Sequence, residues 1–158
     1  MPVQMGTKEM LRRADRGDGI TLGAALLGAI ATYLPWYSYS SLATRVTVNG
    51  FRASILGDVF FLAVAAAALL VLMRLGGVAD IVGGRISDRT ARFVIAGIAM
   101  VAALLQLVLA ASGGRAPGIG AILALIAAAA LVGGAWLRSS EVEPRRTVRE
   151  MLGEGLPD

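Results

Sequence analysis

Four long apolar segments, separated by polar residues, dominate this chain. They run over about 19–36, 55–73, 93–111 and 117–137. Each is close to the ~20 residues that an α-helix needs to cross the ~30 Å hydrocarbon core of a bilayer. A helix satisfies its backbone groups internally, whereas a lone strand would leave them unpaired in lipid. The pattern predicts an all-α integral membrane protein, with a four-helix transmembrane bundle over 18–138 between an N-terminal tail, 1–17, and a C-terminal tail, 139–158.

The loop between the first two segments has the alternating pattern of a β-hairpin. Residues 45–48 and 51–54 alternate between polar and apolar side chains, and Asn49-Gly50 separates the two runs. Asn-Gly favours a hairpin turn because both central residues of that turn need a positive φ. We therefore predict a small extracytoplasmic β-hairpin over 45–54, between helices 1 and 2.

Polar residues at the segment ends predict where the helices begin. Asp18, Asp58 and either Ser87 or Asp88 are suitable N-caps, because their side-chain oxygens can accept hydrogen bonds from the first free N–H groups of a helix. Pro117 suits the first turn of the fourth helix.

Basic residues crowd at alternate ends of the segments, which predicts the orientation. Twelve of the fifteen lie in the two tails and in the loop between segments two and three; the other two loops hold Arg45, Arg52 and Arg115. By the positive-inside rule, both termini are expected in the cytoplasm of a bacterium, with the chain in its inner membrane. We expect three arginines of the middle loop to contact anionic lipid: Arg85, Arg89 and Arg92.

Composition narrows the chemistry further. The chain is 56% hydrophobic, with a mean hydropathy of +0.71, which is too apolar for a soluble domain of 158 residues. It has no cysteine and no histidine, and its spans contain no carboxylate pair. Nucleophilic and acid–base catalysis therefore lack their usual residues, so we expect neither an enzyme nor a bound cofactor or metal. The net charge of +4 follows from membrane topology and does not indicate nucleic acid.

Two polar side chains near the spans admit two interpretations. Gln106 lies well inside the third segment, and Asp58 lies near the outer end of the second. An interhelical hydrogen bond for Gln106 and an N-cap for Asp58 are the structural interpretation. In the alternative, both side chains face the shared pore of a homo-oligomeric channel or carrier, since intramembrane polar residues mark such pathways.

Small residues four positions apart predict close helix packing. The pairs are Ala24 with Gly28, Ala25 with Ala29, Ala129 with Gly133 and Ala130 with Gly134, and the first and third are the predicted packing sites. Such pairs let helix backbones approach closely, either within one bundle or between the copies of a homo-oligomer.

Aromatic residues concentrate at the outer ends of the spans. Seven of the nine lie there, as an interfacial belt or as a hydrophobic docking surface. We predict that contact with a partner subunit or with lipid involves Trp36, Tyr37, Phe51, Phe60 and Phe61.

The order of several short motifs resembles a known group of proteins. Leu34-Pro35-Trp36-Tyr37 ends the first span, Gly57-Asp58 opens the second, and residues 120–125 and 133–137 of the last span read GAILAL and GGAWL. This order resembles the small four-span "Leu-Pro-Trp" membrane proteins of actinobacteria and their relatives. The resemblance implies a fold and a habitat, and no activity.

Together these observations predict a non-catalytic accessory or scaffold subunit of a larger bacterial inner-membrane complex. Its expected partners are other membrane-protein subunits and the lipid bilayer, with no nucleic acid. The alternatives are the homo-oligomeric channel or carrier and a lipid-binding membrane protein.

Overall fold

The computed structural model describes residues 15–41, 44–76 and 87–153, with side chains in the last helix as far as Arg138. The helices in these ranges are α1 Arg16–Tyr33, α2 Gly50–Ala53, α3 Ile55–Leu75, α4 Asp88–Ser112 and α5 Ile119–Gly153. The strands are β1 Pro35–Ser41, β2 Thr44–Asn49 and β3 Ala116–Pro117. They form one antiparallel sheet in the order β2-β1-β3.

Three of the described helical segments are long and apolar enough to cross a membrane: Ile55–Leu75, Asp88–Ser112 and Ile119–Arg138. They indicate a membrane protein. The first predicted span corresponds to α1, which does not meet the same measure of length and apolarity. It also ends at Tyr33, before the predicted end at residue 36, because Leu34 precedes a proline and is extended, with ψ 161°.

The interior of the bundle is built from small residues, and its outside from large apolar ones. Most buried core residues are alanines, including Ala31, Ala99 and Ala127, each 0% exposed. Leucine, isoleucine and valine side chains instead cover the outer faces of α3, α4 and α5. Lipid solvates large apolar side chains as well as a protein core does, so close backbone packing drives helix association in a membrane. Small residues inside and large apolar residues outside therefore indicate a membrane protein, as the lengths of the apolar helices also do.

Two glycines bring α1 and α5 into close contact. A Cβ at Gly17 would lie 2.9 Å from the Gly134 carbonyl oxygen, and one at Gly134 would lie 2.6 Å from Thr21 Oγ1. Gly28 serves the same purpose against α3, where its Cβ would lie 2.9 Å from Val64 Cγ2. Ala24, one turn earlier, is buried in the same core.

The hairpin between the first two long helices is confirmed, but its position differs from the prediction of 45–54. The strands are Pro35–Ser41 and Thr44–Asn49, so residues 45–49 form the second strand and residues 50–53 are helical. Asn49 instead caps α2, its side chain accepting a hydrogen bond from the Arg52 N–H at 3.1 Å. Gly50 is buried against Thr32 and Trp36, so tertiary contacts override the local preference for a turn.

A β-bulge at Trp36 explains why two consecutive strand residues are both buried. Pro35 pairs with Asn49 and Tyr37 with Val48, which leaves Trp36 as the extra residue on β1. Regular strands place successive side chains on opposite faces, whereas a bulge re-aims one of them. Trp36 and Tyr37 are therefore 1% and 5% exposed.

Replacing Gly57 with alanine is expected to destabilise the protein by about 1–3 kcal/mol, the usual cost of overpacking. The new Cβ would lie 2.0 Å from the Gly50 carbonyl oxygen, so the backbone of α2 or α3 must move. Gly97→Ala is the matched control, because nothing lies within 4 Å of its Cβ. Thermal unfolding in detergent measures both variants. Equal melting temperatures for the two would contradict the close contact between α2 and α3.

Candidate functional site

The described residues contain a cluster of charges around a buried carboxylate at one end of the bundle. We call it the charged cluster: Asp15, Asp18, Arg74, Asp88, Arg92 and Arg138. Asp18 and Asp88 lie in the first turns of α1 and α4, and Arg74 lies in the last turn of α3. Negative charge near a helix N-terminus and positive charge near a C-terminus are each favoured by the helix dipole.

Asp18 is the centre of the charged cluster, and its side chain is 0% exposed. Its Oδ2 accepts a hydrogen bond from Arg74 Nη1 at 2.6 Å. Its Oδ1 lies 2.9 Å from Arg92 Nη1, a contact that is ionic without hydrogen-bond geometry. Arg138 Nη1 approaches Oδ2 from α5 at 3.7 Å. One carboxylate on α1 therefore contacts arginines from the three other long helices.

Asp15 and Asp88 complete the charged cluster from its edges. Asp15 pairs with Arg138 and, at 3.3 Å, with Arg74. Asp88 accepts from Arg92 Nε one helical turn later, at 3.1 Å, and lies 3.6 Å from Arg138 Nε. Three carboxylates balance three guanidinium groups. This balance suits a structural tie between helices, because a buried charge is costly unless it is paired.

The charged cluster corrects one predicted lipid contact. Arg92 is 6% exposed and faces Asp18 and Asp88, so it is occupied inside the protein and does not lie on a lipid-facing surface. Arg89 is exposed in the first turn of α4 and stays a predicted lipid contact. Arg85 lies outside the described residues, as do residues 1–14 of the N-terminal tail.

At the opposite end, three of the predicted contact aromatics form part of the core. The indole N–H of Trp36 donates to the Ala31 carbonyl at 2.8 Å, and its ring meets Phe60 edge-on at 5.6 Å. The Tyr37 hydroxyl donates to the Ala53 carbonyl at 3.1 Å. Phe60 is 0% exposed. Trp36, Tyr37 and Phe60 hold the hairpin to the helix ends, and this corrects the prediction that they meet a partner or lipid.

The two remaining predicted contact aromatics lie in an accessible row. Phe51 meets the Tyr33 ring edge-on at 5.2 Å on one side and the Phe61 ring at 5.1 Å on the other. Tyr33 is 66% exposed, and Phe51 and Phe61 are half-buried. We call Tyr33, Phe51 and Phe61 the aromatic row. Phe51, its middle member, lies two residues after the end of β2, and the row links α1, α2 and α3.

Within the described residues, strand β2 has one edge without a paired strand, which we call the free edge. It pairs with β1 on one side, and no other strand of the described residues pairs with its second side. In an antiparallel ladder, alternate residues direct their N–H and C=O groups away from the paired neighbour. Such an edge is a ready template for a further strand. On the opposite side of the sheet, the two-residue strand β3, Ala116–Pro117, pairs with β1 at Tyr37 and Ser38.

The two polar side chains considered for a pore do not share a surface. Gln106 is 3% exposed, and its Oε1 accepts a hydrogen bond from Ser54 Oγ at 2.5 Å, linking α4 to the start of α3. Ser54, rather than Asp58, caps α3 by accepting from the Leu56 N–H. Asp58 is exposed in the first turn. Gln106 thus makes the predicted interhelical hydrogen bond.

The small-residue pair on α5 faces outward. Ala129 is exposed, and a Cβ at Gly133 would meet nothing within 4 Å, so this pair does not pack inside the described bundle. A separate apolar groove of about 390 Å³ runs between α3 and α4, and the residues that line it are Leu56, Val59, Val94, Gly97, Ile98, Val101 and Ala102.

Comparisons with known proteins were made at three levels. No protein-family model, no curated protein and no solved structure matched the chain. The resemblance to the "Leu-Pro-Trp" proteins therefore stays a prediction.

Proposed function

We propose that this chain is a non-catalytic accessory or scaffold subunit of a larger membrane-protein assembly, and that it docks through the free edge of β2. The free edge is the observation that carries the proposal. Main-chain hydrogen bonding to an exposed strand edge is a common way to bind an extended segment of another protein. Native proteins usually cover or shorten such edges.

The aromatic row supports docking at the same end. Tyr33, Phe51 and Phe61 provide apolar area immediately beside the end of β2. Aromatic side chains are enriched where protein interfaces carry their binding energy. A partner strand on β2 and an apolar contact on the aromatic row would together form one continuous interface.

The proposed setting is the inner membrane of a bacterium, with four spans and both termini in the cytoplasm. The charge distribution supports this orientation, because the arginine-poor end carries the sheet. Helix α1 would be a span in addition to the three candidate spans, and it is held against α5 by Gly17 and Gly134. The charged cluster would then lie on the cytoplasmic side and the free edge on the outer side.

Site-specific crosslinking from β2 is expected to capture a partner. The chain has no cysteine, so Thr47→Cys gives one reactive thiol on the exposed free-edge strand. A benzophenone maleimide attached there, followed by illumination of native membranes and mass spectrometry, identifies what lies beside β2. Ser40→Cys is the matched control, because Ser40 is also exposed but lies on the central strand β1.

A different membrane protein crosslinked from position 47, and far less from position 40, would support the accessory function. A crosslink only to a second copy would favour a homo-oligomer and count against it. If position 47 forms no crosslink, β2 is not the docking site. Labelling of Ser40→Cys by a membrane-impermeant maleimide in spheroplasts tests the orientation, because Ser40 is exposed on the same sheet but is not on the proposed docking edge. Protection of this thiol would contradict the proposed orientation.

A lipid-binding protein is the second candidate, supported by the groove between α3 and α4. Its lining is apolar and about 390 Å³ in volume, which suits an acyl chain. Native mass spectrometry of the purified protein distinguishes the candidates. A retained lipid of defined mass, with no second protein, would favour lipid binding.

A further inference from the structure

We infer that the segment that pairs with β2 is an extended, acidic stretch of the partner protein, with carboxylates opposite Arg45 and Arg52. This inference rests on the proposed docking at the free edge and adds the chemistry of the partner. It follows from three features of the described residues at this end: their charges, the two faces of the sheet and the spacing of the arginines.

The arginines at the two ends of the protein differ in their pairing. Arg74, Arg92 and Arg138 are all paired with carboxylates in the charged cluster. At the sheet end, no described carboxylate forms a salt bridge with any of three exposed arginines, which are Arg45, Arg52 and Arg115. The described acidic residue nearest in the sequence to Arg45 and Arg52 is Asp58. This end therefore carries an excess of positive charge that would attract an acidic partner.

Two of these arginines belong to the segment that forms the free edge and the short helix after it. Arg45 is the second residue of β2, and Arg52 follows the end of the strand by three positions. At about 3.3 Å per strand residue, Arg45 and Asn49 are ~13 Å apart. A paired segment of about six residues would extend from Arg45 to the end of β2, where the short helix α2 that carries Arg52 begins. Arg115 instead lies over the Tyr37 ring, 4.8 Å from its centroid, on the β1 side of the sheet.

The two faces of β2 specify alternation in the partner. Arg45 and Thr47 share one face, which is polar; Arg45 Nη2 donates to Ser38 Oγ across the sheet at 3.1 Å. Val46 and Val48 share the other face, and Val48 packs against the core. An added strand continues both faces, because its side chains alternate in the same way. The expected segment alternates acidic and apolar residues.

A peptide accounts for this surface better than an anionic lipid does. Lipid phosphates would neutralise the arginines, but they cannot match the row of N–H and C=O groups along β2. A further strand can form hydrogen bonds with these N–H and C=O groups from about 4.8 Å away, and its carboxylates can also neutralise the arginines. The free edge and the exposed arginines are thus served by one occupant.

The test uses the whole protein in nanodiscs of phosphatidylcholine and a fluorescent peptide of eight alternating glutamate and valine residues. Fluorescence anisotropy at low and high salt measures binding. We expect Arg45→Glu to weaken binding about fivefold, because it replaces a favourable cross-strand charge pair with a repulsive one. Arg115→Glu is the matched control: the charge change is equal and at the same end, but away from the free edge, so a smaller loss is expected.

A second peptide separates strand pairing from simple charge attraction. It has the same glutamates, but alternate backbone nitrogens are methylated and cannot donate to β2. Binding of the first peptide, lost on methylation and reduced by Arg45→Glu, would support the inference. Equal binding of both peptides would overturn it. So would no peptide binding, or binding shown only by phosphatidylglycerol vesicles, which would assign the arginines to lipid.

Failure of this inference can be distinguished from failure of the proposed function. If crosslinking from position 47 captures a partner through a basic or wholly apolar segment, the acidic inference fails and the accessory function stands. If crosslinking captures nothing, the accessory function itself fails, whatever the peptides do.

Discussion

Asp18→Asn is expected to lower the free energy of unfolding by about 3–5 kcal/mol, the usual cost of removing one partner from a buried ion pair. Asp18 is 0% exposed and contacts Arg74 and Arg92 directly. Asparagine keeps the shape but removes the charge, which leaves the buried Arg92 guanidinium with Asp88 alone among its described carboxylate contacts. Unfolding of detergent-purified protein by heat and by SDS, followed by far-UV circular dichroism, measures the loss.

Asp58→Asn is the control for this prediction. Both aspartates lie in the first turn of a long helix, but Asp58 is exposed. A surface substitution of this kind changes stability by no more than about 0.5 kcal/mol. If the two variants unfold alike, the charged cluster does not hold the helices together, and the contribution assigned to Asp18 is wrong.

Trp36→Ala is expected to cost about 3–5 kcal/mol, as for other buried aromatic residues. The indole is 1% exposed and lies between two glycines: a Cβ at Gly50 would come within 2.9 Å of its Cε2, and one at Gly120 within 2.7 Å of its Cδ1. Truncation would leave a cavity there. It would also remove the hydrogen bond to Ala31 and the edge contact with Phe60.

Trp136→Ala provides the comparison, because Trp136 is 66% exposed and is the other tryptophan of the chain. We expect it to unfold within about 0.5 kcal/mol of the parent protein. Each variant retains one tryptophan, so fluorescence reports the two sites separately. A red-shifted, quencher-accessible Trp36 in the Trp136→Ala variant would show that the hairpin is not anchored as described.

These two anchors bear on the proposed docking. The charged cluster holds the long helices at one end, and Trp36 and Tyr37 hold the base of the hairpin at the other. Strand β2 is thereby positioned before a partner arrives. A preorganised edge has less conformational freedom to lose on binding, which favours affinity.

Local sequence was sufficient to predict several elements. The apolar segments near 55–73 and 93–111 match α3 and α4, because span length depends only on bilayer thickness and helix rise. Of the two predicted caps for α4, Ser87 and Asp88, it is Ser87 that caps the helix, accepting from the Thr90 N–H at 3.1 Å. That bond joins residues three positions apart, so it can be predicted locally.

Other features depend on contacts between distant residues. Asn49-Gly50 has the composition of a hairpin turn, but Thr32 and Trp36 pack on Gly50. The bulge that buries Trp36 next to Tyr37 depends on its register with β2. Outer aromatics favour an interfacial belt on average, and only the packing separates the buried Phe60 from the half-buried Phe61.

The charged cluster was missed because its members are far apart in the chain. Asp18 and Arg74 are separated by 56 residues, and Asp15 and Arg138 by 123. Counting arginines predicts the side of the membrane on which they lie, and cannot tell which of them are paired. The sequence did contain one indication of the charged cluster: acidic residues at the starts of α1 and α4 and an arginine, Arg74, at the end of α3.

The sequence by itself determined the long apolar helices, the hairpin's place in the chain order and the uneven distribution of charge, because periodicity, length and charge counts are local properties. Only the tertiary structure decided which arginines are buried, which aromatics remain accessible and which edge of the sheet stays free. Those outcomes depend on pairing between residues that the chain brings together only when the helices pack.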